Sequence, residues 1–195
     1  MIAEAKNPVL EIHDLTVTYS KRPVLWDIDL TIPAGSLVGI VGPNGAGKST
    51  MIKAVMDLVP LASGFIKIFD QDLKEVRKKV SYVPQRGSVD WDFPASVLDV
   101  VLMGRYGHLG FLKYPRKADK EAAIDALRKV GMEPFKNRQI SELSGGQQQR
   151  LCLARSLAQQ PEIILLDEPT SGLDSQTSWA ILDLLEKLGG WRSRA

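Results

Sequence analysis

Apolar positions recur along this chain in two rhythms, one short and strand-like, the other with the spacing of amphipathic helices. Val9 to Thr18 has strand character, and Val24 to Ile32 reads as a second strand carrying Leu25, Ile28, Leu30 and Ile32, closed by a turn at Pro33-Ala-Gly35. Leu37-Val-Gly-Ile-Val41 is an unbroken apolar run that predicts a buried strand, and Lys48 to Leu58 predicts a helix. Ser63-Gly64 turns the chain into a strand at Phe65 to Phe69; a short basic helix follows at Leu73 to Lys79, then a strand at Val80 to Val83 that stops at Pro84. Helical spacing dominates from Ser96 to about Gln159, where Val97, Val100, Val101 and Gly104 share a face and Ala122–Val130 and Gly146–Ala158 are amphipathic. A strand returns at Glu162 to Asp167, and a last helix at Ser175 to Leu188 carries Ile181, Leu184, Leu185 and Leu188 on its apolar side. The order predicts an α/β fold with a mostly parallel core sheet, an antiparallel N-terminal β edge and a helical insert.

Three polar segments sit at the ends of these elements. Gly42-Pro-Asn-Gly-Ala-Gly-Lys-Ser-Thr50 joins the apolar run to the first helix, the strand–loop–helix setting of a P-loop NTPase. Gly42, Gly45 and Gly47 let backbone N–H groups converge on one anion, with Pro43, Asn44 and Ala46 between them, and the helix presents its positive end to the same spot. Lys48 is placed to reach β- and γ-phosphates, Ser49 offers a hydroxyl to Mg²⁺, and Thr50 and its neighbours reach the α- and β-phosphates. Ile164-Leu-Leu-Asp-Glu-Pro169 delivers two acids at the carboxyl end of a strand, where α/β sheets hold ligands. Strand alternation predicts divergent roles: Asp167 toward Mg²⁺, Glu168 polarising the attacking water. Leu143-Ser-Gly-Gly-Gln147 opens another helix, with Ser144 as N-cap and the amides of Gly145 and Gly146 at a positive helix end.

Composition changes this picture little. A chain of 195 residues, 44% of them hydrophobic, suffices for one domain with an inserted subdomain. The net charge of +2 and the lack of basic clusters interleaved with aromatics argue against nucleic acid as a partner. The lone Cys152 excludes an internal disulfide, and its place on an apolar helix face makes it core filler. No apolar run spans a bilayer, and Met1 to Lys6 lacks the apolar segment of a signal peptide. His13, His108 and Cys152 show no metal-ligand spacing.

Phosphate loop, LSGGQ and LLDEP in this order resemble the ATP-binding cassette (ABC) ATPases, over about Val9 to Leu188. The resemblance implies one ABC ATPase domain, with a core at about 1–90 and 160–195 and a helical subdomain at about 91–159. It implies ATP and Mg²⁺ as ligands, and a head-to-tail homodimer in which Ser144, Gly145, Gly146 and Gln147 of one copy close on ATP held by the other. It further assigns Tyr19 to stacking on adenine, Gln85 to sensing Mg²⁺ and the attacking water, and Ser171-Gly-Leu-Asp174 to the dimer interface, where Asp174 also suits a helix cap. Lys48, Gln85 and Glu168 then form the catalytic set, and Ser49, Gln85 and Asp167 face the metal.

Arg86-Gly-Ser-Val-Asp-Trp-Asp-Phe-Pro94 and Ser96-Val-Leu-Asp-Val-Val-Leu-Met-Gly104 are similar to cassettes of importers for manganese, zinc or chelated iron. The implied partners are integral membrane permease subunits, docked near Trp91 and Phe93, and indirectly a substrate-binding protein. The implied location is peripheral, on the cytoplasmic face of the cell membrane. The family also has a later strand ending in a histidine that contacts the γ-phosphate, and Gly189 to Ala195 carries neither strand pattern nor histidine. The chain therefore reads as C-terminally truncated, with hydrolysis impaired. The alternatives are a hydrolysis-deficient nucleotide-binding remnant and a soluble non-transport ABC protein. Permease association separates the latter from a transporter subunit, and ATP turnover separates out the former.

Overall fold

The computed structural model describes residues 8–19, 22–85, 89–109 and 114–189. The readings of Met1 to Lys6, of Arg86, Gly87 and Ser88, and of the tail after Gly189 lie outside them. The described residues pack as two units, one up to Arg77 together with the chain from Glu186 onward, the other from Lys78 to Leu185.

The first unit is built on strands β1 (Pro8–Thr18), β2 (Pro23–Pro33) and β3 (Ser63–Ile68), an antiparallel sheet in the order β2-β1-β3. Burial along β1 alternates at Leu10 and Ile12 and then slips by one to Leu15 and Val17. The slip is a bulge: the pairing with β2 jumps between Ile12 and Leu15, and Asp14 turns into the left-handed region at φ 48°. Gly64 crosses at that point, where a Cβ would lie 2.4 Å from the His13 carbonyl oxygen, so only glycine fits.

Helix α1 (Lys48–Val55) buries Met51, Ala54 and Val55. It is shorter than predicted because Asp57 adopts φ 55° and two bonds, Asp57 N–H to Ala54 O at 3.0 Å and Leu58 N–H to Lys53 O at 2.9 Å, close a Schellman ending. Helix α2 (Leu73–Val76) is a single turn running into a 3₁₀ turn at Arg77–Lys79.

The buried strand predicted at Leu37 to Val41 is not formed. These residues belong to no regular element, and Val41 is 95% exposed. A strand exists only where a neighbour completes its ladder, and β1, β2 and β3 pair with one another instead.

The second unit holds the predicted parallel pairing, β4 (Val80–Val83) beside β5 (Ile163–Leu166), in register from Val80 opposite Ile163 to Val83 opposite Leu166. Helices α3 (Val97–Met103), α4 (Lys117–Lys129) and α5 (Gly145–Ala158) and α6 (Ser175–Gly189) surround a core containing Val97, Val101, Leu127, Leu151, Leu153 and Ile181. Ser156 Oγ donates to Ser81 Oγ at 2.7 Å, a buried bond that ties α5 to β4. Arg105 clamps the ends of the helices together. Its Nε reaches Asp119 Oδ1 at 3.1 Å on α4, and its Nη1 reaches the Ala158 carbonyl at 2.9 Å, at the end of α5. Asp119 also accepts from the Arg116 N–H at 3.0 Å, which starts α4 one turn before the predicted Ala122.

Two outcomes test this packing. Leu127→Ala should lower unfolding free energy by about 2–5 kcal/mol in urea titrations, the usual cost of a cavity in a closed core. The Arg116 N–H, then Arg105, hold the Asp119 carboxyl below its ordinary range. A depressed folded-state pKa contributes stability above the unfolded value that is lost as pH falls through the folded one, so wild type should lose urea resistance on acidification below the normal aspartate range. Asp119→Asn should be less stable at neutral pH and show a smaller acid-induced loss.

Candidate functional site

The phosphate-loop residues lie in the first unit, where Gly45 and Gly47 take the left-handed conformation at φ 83° and 92°. At Gly47 space as well as conformation demands glycine, because a Cβ would sit 2.7 Å from Leu25 Cδ2 and 3.2 Å from the Val24 carbonyl oxygen. Gly47 is the N-cap of α1 and makes no side-chain cap bond at that end of the helix. The loop is held by Ala46 N–H to Pro43 O at 3.2 Å. Lys48 Nζ folds back over it, donating to the carbonyls of Gly42 at 2.8 Å and Pro43 at 2.9 Å. Gly42, Pro43, Asn44, Gly45, Ala46 and Gly47 thus form a short cradle around a cation at the positive end of a helix. A polyphosphate anion suits such a place. Tyr19 follows β1 directly, and its ring is exposed.

In the second unit, β4 and β5 bring three predicted residues together at their carboxyl ends. Gln85 Nε2 donates to Glu168 Oε2 at 2.9 Å, leaving Glu168 Oε1 without a hydrogen-bond partner among the described residues. Asp167 is buried, and its N–H continues the parallel ladder to the Val83 carbonyl at 3.0 Å. Regular strand ends at Leu166, and Glu168 takes φ 48°, a left-handed position that a long side chain rarely adopts. The two acids therefore diverge through a turn in the backbone rather than through strand alternation. A carboxylate with one oxygen fixed and the other uncommitted can accept a proton from water.

Tyr82 was not anticipated. Its hydroxyl donates to Asp167 Oδ2 at 3.3 Å, and burial first, then the negative charge of Asp167, push the phenol above its ordinary pKa. The available signal was its place on a strand parallel to β5, one residue back from the strand end.

Ser144 caps α5 as predicted. Its Oγ accepts from the Gln147 N–H at 3.4 Å while Gln147 Oε1 accepts from the Ser144 N–H at 3.0 Å, a capping box that engages both side chains. Gly145 and Gly146 fill the first turn. At Gly146 a Cβ would lie 2.6 Å from Thr177 Cγ2 on α6, so this glycine is also a contact between helices. Asp174 caps α6 through Thr177, accepting from its N–H at 2.9 Å and from its Oγ1 at 2.6 Å; the side-chain bond, then the backbone one, lower its pKa.

Of the two aromatics beyond Gln85, Trp91 packs half-buried against the core and Phe93 is exposed. His13 stacks on Phe65 with ring centroids 4.8 Å apart, His108 Nε2 lies 2.9 Å from the Gln159 carbonyl oxygen, and Cys152 is buried. No described helix is long and apolar enough to cross a membrane.

A model of the ABC transporter family matches residues 25–171, from β2 through the glycine-rich loops to the turn after β5. The chain belongs to the ABC transporter family. Among relatives, the manganese transport system ATP-binding protein MntB of Bacillus subtilis is 59% identical over 179 residues, covering 92% of this chain and 72% of that protein. The zinc transport system ATP-binding protein TroB of Treponema pallidum is 53% identical over 181 residues, covering 93% of this chain and 68% of that protein. In three dimensions the chain superposes on a metal-chelate type ABC transporter in an inward-facing conformation, with a TM-score of 0.85 and 30% identity, covering 96% of this chain and 70% of the other. The fold is thus that of the ABC ATPase type of P-loop NTPase, and this member of the ABC transporter family carries its nucleotide-binding domain.

One substitution tests the cradle directly. Gly47→Ala should place a methyl group against Leu25 in a backbone conformation that costs an L-residue about 1–2 kcal/mol. Titration with a fluorescent ATP analogue should then find binding weakened about 5- to 30-fold, the equivalent of that strain carried wholly by the bound loop.

Proposed function

We propose that this chain is the ATP-binding and hydrolysing subunit of an importer for a metal ion of the manganese, zinc or iron class, seated peripherally on the cytoplasmic face of the cell membrane. The observation that carries the hydrolytic part is the Gln85–Glu168 bond of 2.9 Å beside the buried Asp167. The cargo class rests on the identities of 59% and 53% to proteins named for manganese and zinc transport systems. In this reading the core spans about 1–90 and 160–195 and the helical subdomain about 91–159.

The Lys48 ammonium exchanges the Gly42 and Pro43 carbonyls for β- and γ-phosphate oxygens, a trade of neutral acceptors for charged ones that favours the ligand. Gly45, Gly47, Ser49 and Thr50 donate through backbone amides, and Tyr19 offers its ring to the adenine. Glu168 takes the proton of an attacking water, and Gln85 orients that carboxylate. Ser144, Gly145, Gly146 and Gln147 serve the nucleotide of a second, head-to-tail copy.

Mg²⁺ suits the donors present. It prefers one or two oxygen donors together with water and phosphate over an all-protein cage, and the buried Asp167, the Ser49 hydroxyl and the Gln85 amide oxygen are oxygen donors of that kind. When bound, the ion neutralises charge developing on the phosphoryl oxygens. Permease subunits, and through them a substrate-binding protein, complete the assembly.

Two variants separate binding from chemistry. Lys48→Ala should weaken ATP binding about 10- to 150-fold in calorimetry, from the 1.5–3 kcal/mol of a charged hydrogen bond. Glu168→Gln should keep its nucleotide affinity and reduce phosphate release in a coupled assay at least about a hundredfold, the scale of general-base catalysis. Normal turnover in Glu168→Gln would remove the residue from the mechanism.

A further inference from the structure

Tyr82 sits at the chemical end of the second unit without a part in the steps assigned to Lys48, Gln85, Asp167 and Glu168. It stands opposite Leu165 in the parallel register of β4 and β5, so the two side chains share a face of the pair. Asp167 is still on the ladder through its N–H to the Val83 carbonyl at 3.0 Å, and two residues beyond Leu165 it returns to that face about 6.6 Å along. A phenol is long enough to cover that step, and the Tyr82 hydroxyl donates to Asp167 Oδ2 at 3.3 Å. The contact is a product of register, since a one-residue slip of either strand would turn Tyr82 to the opposite face.

What the bond adds is control of rotation. The ladder fixes the backbone of Asp167 and burial confines its side chain, but the terminal torsion of an aspartate is broad and roughly two-fold, so neither sets the plane of the carboxylate. A donor on one particular oxygen does. Tyr82 is also an uncharged donor: it orients the carboxylate without cancelling its charge, whereas a lysine or arginine in its place would compete with a bound cation for the same anion. β4 treats the other acid in the same way, with Gln85 Nε2 on Glu168 Oε2 at 2.9 Å, so one strand supplies a neutral donor to each of the two acids that follow β5. Carboxylates that face a metal ion depend on such supporting hydrogen bonds, and losing one typically weakens the metal.

Resting on the reading above that Asp167 faces Mg²⁺, we propose that Tyr82 is a positioning residue for the metal: its hydroxyl sets the plane in which the Asp167 carboxylate meets the ion, and thereby how much the ion adds to nucleotide binding. It touches neither the nucleotide nor the phosphate loop, so its effect is confined to the metal-dependent part of the affinity.

The test measures the affinity of the full chain for the β,γ-imido analogue of ATP by calorimetry, once with EDTA and once with saturating Mn²⁺, and takes the ratio of the two as the contribution of the metal. Wild type should bind more tightly with Mn²⁺. Tyr82→Phe, which keeps the ring and loses the hydroxyl, should lower the ratio at least about fivefold while its affinity in EDTA stays within about twofold of wild type, a split that general destabilisation would not produce. Asp167→Asn should lower the ratio as well, and Tyr82→Phe added to it should lower it by less than about twofold more, because both act through one carboxylate. An unchanged ratio in Tyr82→Phe, a matching loss in EDTA, or a full further loss in the double variant overturns the proposal while Asp167 keeps its place at the metal. If Mn²⁺ does not tighten wild-type binding, or Asp167→Asn keeps the wild-type ratio, the metal reading of Asp167 falls and the proposal with it.

Discussion

The parallel pairing of β4 with β5 is the constraint on which the chemical end of this molecule depends. Eight residues in register, Val80 to Val83 against Ile163 to Leu166, finish at the same level, so whatever follows each strand emerges side by side. Gln85 and Glu168 are 83 positions apart in sequence and meet at 2.9 Å for that reason. The ladder runs one bond further through the Asp167 N–H, which seats that carboxyl in the interior before the chain turns away at Glu168. Ser156 on Ser81 and the Gln159 amide on the Lys78 and Val80 carbonyls brace β4 from α5, so the helix that starts at Ser144 is fastened to the strand that ends before Gln85.

Much of this was legible from residue order. The elements from Val80 to Leu188 came through as amphipathic periods because each buries one face against a common core, the circumstance in which periodicity reports structure most directly. Ser144 and Asp174 declared themselves as caps because short polar side chains before a helix have few other uses. Gly47 was legible too, since a glycine-rich turn between an apolar run and a helix calls for a residue free to take the left-handed conformation, which it does at φ 92°.

What escaped the reading depends on neighbours that a linear pattern does not contain. Leu37 to Val41 has the composition of a buried strand, but composition says only that a segment would pair, not that a partner stands alongside. The left-handed turn at Glu168 is invisible because glutamate carries no bias toward it; the surrounding structure imposes it. Tyr82 looked like an ordinary strand aromatic until the register with β5 put its hydroxyl on Asp167. The α4 start was misplaced by one turn because the cap there is an aspartate inside the helix reaching back to Arg116, a weaker signal than a serine or threonine ahead of it.

The crossing of α5 and α6 at Gly146 has a mechanical consequence. With room for no more than a hydrogen atom against Thr177, any larger residue at position 146 would force the amino end of α5 and the first turn of α6 apart. Thr177 is itself locked to Asp174, the last residue of the loop before α6. The same threonine holds the Asp174 carboxylate, so a residue at position 146 large enough to displace it would disturb the cap of α6 together with the start of α5.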